Sequence, residues 1–242
     1  MKRLASFGVV LPLLLLGAAS CGDNNTQVPD VKFRTVDVLA DFEITSGFNP
    51  DPKSRWNGNF IADADATPMI SAELGLHQGK AAIVPARKNP DGTESTAAFH
   101  VSDGGLHSGW GSATVAYLTS SKKAVDLSEY TGMSVWMKSD GMAGMTVKVG
   151  IADFHSFPDA IPPGCDVKDQ SVGGPGCYDD FSVKLYPDGT WRRYDIAFSQ
   201  LTTGGWGYPH AFDPTRLYEV KFSILPNVKY DIWFDDISFY IR

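Results

Sequence analysis

Trp191-Arg-Arg-Tyr-Asp-Ile-Ala-Phe198, Leu217-Tyr-Glu-Val-Lys-Phe-Ser-Ile-Leu225 and Asp231-Ile-Trp-Phe-Asp-Asp-Ile-Ser-Phe-Tyr240 are alternating segments parted by loops rich in Gly, Pro, Thr and Asn. Side chains two residues apart share one face of a strand. Val220, Phe222 and Ile224 therefore form an apolar row, with Lys221 and Ser223 opposite. The last segment changes parity, from Ile232 and Phe234 to Ile237 and Phe239. Either both faces are covered there, or a bulge at Asp235-Asp236 resets the register.

The same pattern extends upstream. Strands are predicted near Val36–Glu43, Ala81–Ala86, Thr96–Val101, Ser112–Leu118, Met133–Lys138, Thr146–Ala152 and Phe181–Leu185, followed by Trp191–Phe198, Leu217–Leu225 and Tyr230–Ile241. Gly, Pro, Asn and Asp clusters divide them, as hairpins and longer loops require. Val147, Val149 and Ile151 face one way, with Lys148 and Gly150 opposite; Trp136 lies on the polar side of its strand. No stretch of ten residues has a convincing helical period, although Asp126–Tyr130 and Phe198–Thr202 can each make one turn. The reading is all-β, a jelly-roll β-sandwich.

The N-terminus is read as an address. Lys2 and Arg3 precede an apolar run, Leu4 to Leu16, too short to span a bilayer, and then Gly17-Ala-Ala-Ser-Cys21. This resembles a bacterial lipoprotein signal over residues 1–20, with Cys21 lipidated; an ordinary secretory peptide with a chance cysteine is the alternative. Residues 21–33 form a polar tether and 34–242 one domain. Gly22 after the cysteine favours the outer membrane if the cell has two membranes. Cys165 and Cys177 lie in one Gly/Pro-rich loop, and in an exported protein they most simply form a disulfide. A metal–thiolate pair would lack the further ligands zinc needs. The formal charge of −7 and the absence of a basic stripe argue against a nucleic-acid partner.

These strands, and the glycine-flanked Trp110 of His107-Ser-Gly-Trp110-Gly111, resemble galactose-binding-like jelly rolls, especially carbohydrate-binding modules of family 11 and related types. The resemblance implies that a polysaccharide such as β-glucan is held without being cleaved. It also implies that the first and last strands meet at a structural calcium. Asp41 and Glu43, which share one side of the first strand, would be ligands together with Asp236 and the competing Asp235; the alternative is that these acids are solvated or paired with Arg34, Lys229 or Arg242.

A saccharide is gripped by rings stacked on its C–H faces and by polar groups aimed at its hydroxyls. Candidate ligand residues are Trp56, Trp110, Asp153, His155, Tyr178, Asp180 and Trp206. A disulfide that folds the 165–177 loop back would bring Asp153, His155, Tyr178 and Asp180 to one rim. Trp110 and Trp206 can equally be packing residues whose small neighbours let the chain pass over them. Two other classes remain open at this point. A glycoside hydrolase needs two suitably spaced carboxylates, for which Asp153 with Asp180 is the only nominee. An assembly lipoprotein would use the same scaffold to grip a protein.

Overall fold

In the computed structural model, the described residues are 35–42, 58, 60–65, 80–88, 94–105, 107–140, 144–168 and 176–242. All of them fall in Lys32–Arg242, the second of the two units into which the chain divides. Eleven strands follow in chain order: β1 Thr35–Ala40, β2 Phe60–Ala64, β3 Lys80–Lys88, β4 Glu94–Asp103, β5 Ser112–Tyr117, β6 Gly132–Ser139, β7 Val147–Asp153, β8 Phe181–Leu185, β9 Arg192–Ala197, β10 Leu217–Ile224 and β11 Tyr230–Ile241. All ten predicted strands are present, and β2 is an addition. One 3-10 turn, Phe198–Gln200, follows β9, and a turn at residues 128–129 stands where the second helical turn was expected.

The strands pair antiparallel in two sheets. One has the order β3-β4-β11-β6-β9, with β1 also on β11; the other runs β2-β5-β10-β7-β8. Their inner rows form a single core. Val147, Val149 and Ile151 of β7 and Val220, Phe222 and Ile224 of β10 meet Met133, Val135 and Met137 of β6 and Phe234 and Phe239 of β11. Phe222 and Phe234 meet across the sandwich with ring centroids 4.6 Å apart. Burying each such ring is worth about 2–3 kcal/mol.

β11 organises the six-stranded sheet. Tyr230–Phe234 pairs with β4, whereas Ile237–Ile241 pairs with β1. Between these halves the register against β6 shifts, and Asp236 takes a positive φ of 44°. Ile232, Phe234, Ile237 and Phe239 are all buried. The parity change is therefore a bulge, and the opening and closing strands are hydrogen-bonded neighbours.

The bulge turns two carboxylates towards an arginine. Arg87 of β3, only 3 % exposed, donates from Nε and Nη2 to Asp235 Oδ2 at 3.1 and 2.8 Å. It also donates to Asp236 Oδ2 at 2.6 Å. Ser95 Oγ adds a bond to Asp235 Oδ2, and the Asp236 N–H donates to Oδ1. The guanidinium lies 4.4 Å from the ring centroid of Trp136, which accounts for a tryptophan on the polar side of β6. The described partner of Asp235 is thus Arg87, and Arg34 lies outside the described residues. One guanidinium answers the two carboxylates, and both Asp235 oxygens accept hydrogen bonds. Among the described residues no three His, Cys, Asp or Glu side chains gather to hold a metal. Asp235 and Asp236 do not fit a calcium site; Glu43 lies outside the described residues, and Asp41 stands just beyond the end of β1.

Candidate functional site: an aromatic cleft on the five-stranded sheet

The five-stranded sheet buries one face and presents the other. Alternation sends Lys148 and Gly150 of β7, Lys221 and Ser223 of β10 and Ala113 and Val115 of β5 outward, and these residues floor a cleft of about 590 Å³. Trp110 and Leu225 stand at the β5–β10 side, and Tyr178, Asp180 and Trp206 at the β7–β8 side. Trp110 is 53 % exposed and Tyr178 47 %. Large rings bared in a concavity lined by polar groups mark a binding surface.

The floor is charged and mostly self-compensated. Lys221 Nζ bridges Asp180 Oδ2 at 2.8 Å and Glu219 Oε1 at 2.9 Å. Burial works against the Lys221 charge, but Asp180 and then Glu219 outweigh it and hold its pKa above the ordinary lysine value. Burial dominates at Glu219 and pushes that carboxyl up. Asp180, 4 % exposed, keeps Oδ1 buried without a hydrogen-bond donor. Gly150 makes room for it, since a Cβ there would sit 3.3 Å from that of Asp180. Lys148 makes no ion pair with any described residue. The cleft thus offers rings, the Ser223 hydroxyl and the Lys148 ammonium.

Both wall tryptophans sit on loops held by carboxylates. Asp65 Oδ2 accepts the N–H groups of Gly109 and Gly111 at 2.8 and 2.9 Å. Asp179 accepts those of Gly204, Trp206 and Gly207 at 2.6, 2.9 and 3.0 Å.

Of the residues nominated from sequence, Trp110, Tyr178, Asp180 and Trp206 line this cleft. Cys165 and Cys177 are bridged, with Cα atoms 5.3 Å apart. The loop does fold back, for the Tyr178 N–H donates to Ser156 O at 2.8 Å. Asp153 and His155 are not part of the cleft. The Asp153 carboxylate is buried and accepts the N–H groups of His155, Ser156 and Asp213, with His210 Nε2 at 3.1 Å. It fixes the turn after β7 and cannot pair with Asp180 across a glycosidic bond. His155 borders a shallow depression with His210 and Tyr208. Trp56 and Cys21 lie outside the described residues. Sequence reasoning missed Asp65 and Asp179 as loop holders and Lys148, Lys221 and Ser223 as floor. Their signal was present in the polar rows of β7 and β10.

No protein-family model matches the chain, and no curated protein matches it. Solved structures do. The family 11 carbohydrate-binding module of the cellulosomal cellulase Lic26A-Cel5E of Clostridium thermocellum superposes with a TM-score of 0.52 at 16 % identity, over 86 % of this chain and 95 % of that one. A family 11 module from the same organism, in complex with a β-1,3-1,4-mixed-linked tetrasaccharide, gives 0.46 at 19 % identity over 76 % and 96 %. An exo-β-agarase gives 0.46 at 11 % identity over 85 % and 25 %. At such identities the likeness speaks for architecture: this chain has the jelly-roll β-sandwich fold seen in family 11 carbohydrate-binding modules.

Proposed function

We propose that this protein binds a polysaccharide, without cleaving it, in the cleft over the five-stranded sheet. The observation that carries the reading is the cleft itself, a polar floor set between the exposed rings of Trp110 and Tyr178. Lys148 and Ser223 can hydrogen-bond saccharide hydroxyls, and Trp110, Tyr178 and Trp206 supply platforms for the C–H faces. From β5 across β10 and β7 to β8 is three inter-strand steps, about 14 Å, enough for a short run of sugar units. β-Glucan is the first ligand to try, because the superposable module belongs to a cellulase. Affinity electrophoresis of the full chain through gels containing mixed-linkage β-glucan, xylan or agarose, followed by product analysis, tests this. Retardation without product formation is expected, with a Kd of about 10–100 µM. Product release would make it a hydrolase or lyase. Free migration in every gel would sink the reading and favour a protein partner.

We further propose that Cys21 is acylated and tethers the domain to the envelope, on the outer membrane if the cell has two. The support is the sequence of residues 1–22 alone. Labelling with radioactive palmitate should follow Cys21 and vanish in Cys21→Ala.

A further inference from the structure

We infer that Asp65 and Asp179 are positioning residues of the cleft, each pinning the backbone of a glycine-rich loop so that Trp110 and Trp206 stand as preformed platforms. The inference rests on the glycan-binding reading above and deepens it. Two segments distant in the sequence arrive at one device. At each, a carboxylate with side-chain exposure below a tenth gathers the amide N–H groups flanking a single tryptophan. Asp179 makes no ion pair with any described residue; three peptide dipoles answer its charge. Asp65 also donates its own N–H to Gly111 O at 2.9 Å. His107 stands between this carboxylate and that of Asp103, at 3.6 and 3.1 Å.

The glycines follow from this device. A Cβ on Gly109 would lie 2.9 Å from Asp65 Oδ2, and one on Gly204 would lie 2.8 Å from Asp179 Oδ1. One on Gly207 would meet Asp179 Cβ at 2.5 Å. Gly109, Gly204 and Gly207 therefore let a carboxylate reach the backbone, which differs from the chain passing over a buried ring. What this gains is preorganisation. Ordering a loop residue costs about 1–2 kcal/mol of conformational entropy, and a loop already ordered does not incur that cost on binding.

The experiment compares the full chain with Asp179→Ala, Asp179→Asn, Asp65→Ala and Asp65→Asn. It titrates each with a β-1,3-1,4-mixed-linked tetrasaccharide and measures amide hydrogen exchange at Gly109, Gly111, Gly204, Trp206 and Gly207. An alanine should weaken binding about tenfold and release the amides of its own loop alone. An asparagine, which retains one acceptor oxygen, should fall between alanine and wild type. Arg87→Met is the control, because it lowers stability without touching either loop. Affinity falling in step with melting temperature across all the variants, control included, would show a merely structural role and overturn the inference. So would an alanine variant whose affinity is unchanged. Should an alanine variant fail to fold, the asparagine pair decides by the same criteria. If the wild-type chain binds no saccharide, the glycan reading fails by itself. Positioning is then judged from exchange: protection lost with Asp179 upholds it, and free exchange in the wild type overturns it.

Discussion

Asp179 and Asp180 are adjacent and do opposite work. One turns its carboxylate to three backbone amides, whereas the other holds Lys221 with one oxygen and keeps the second buried without a donor. Asp180→Asn keeps the shape and one acceptor but replaces an oxygen by a donor. It is expected to weaken saccharide binding about tenfold, or about 1.4 kcal/mol, and to lower the melting temperature only in part, because Glu219 still answers the Lys221 charge; titration calorimetry and thermal melts measure the two effects. Trp110→Ala should abolish binding and change stability by less than about 0.5 kcal/mol, since half the ring is already in solvent. Binding retained by Trp110→Ala would remove that wall from the site. At this scale the sequence was half legible. Composition and glycine flanks singled out Trp110 and Trp206, but they could not separate a packed ring from a presented one. That difference lies in partners such as Asp65 and Gly109, 44 residues apart in the chain.

At the scale of elements, alternation was a faithful guide because each strand buries one face. β2 escaped because Phe60-Ile-Ala-Asp-Ala is short and built largely of small residues. The parity change in β11 left a bulge or two covered faces open, and the cation that answers its acids comes from β3, 148 residues away, where no local pattern could nominate Arg87. Arg87→Met should cost about 3–5 kcal/mol by leaving Asp235 buried without a counter-charge. EDTA is not expected to shift the melting temperature; a fall of several degrees on chelation would restore a metal to the fold. The pH dependence follows from Asp235. Burial, with the neighbouring Asp236 charge, raises its pKa from 3.8 to about 6, against the pull of Ser95 and Arg87. A carboxyl raised in the folded state binds its proton more tightly there than when unfolded. Its contribution to stability is therefore fully present below about pH 4 and is lost as pH rises through about 6. Urea melts between pH 4 and 7 should show this site's stabilisation decreasing as pH rises, by at most about 3 kcal/mol. Asp235→Asn should flatten that dependence.

The whole molecule divides its labour between two sheets. The six-stranded sheet carries the bulge, the Arg87 cluster and the pairing of opening and closing strands, all of which serve stability. The five-stranded sheet exposes its polar row and carries the cleft. The core between them makes the sheets one cooperative unit, and Ser112 Oγ donates to Tyr230 Oη across it at 2.9 Å, but the partners of Arg87 and those of Asp180 named above are different residues. Stability and binding should then respond independently to substitutions on opposite sheets. Arg87→Met is expected to lower unfolding free energy and leave the Kd for a β-glucan oligosaccharide unchanged, provided the chain is folded at the assay temperature. Asp180→Asn should raise that Kd about tenfold and lower unfolding free energy by less than Arg87→Met does, since Lys221 keeps Glu219. In the double variant both effects should add to within about 0.5 kcal/mol, as they do for distant sites without common partners. Denaturant melts and calorimetric titrations of the four proteins complete the cycle. A coupling above about 1 kcal/mol in either quantity would mean that strain at the β11 bulge reaches the cleft through the core, and the two sheets would have to be treated as one device.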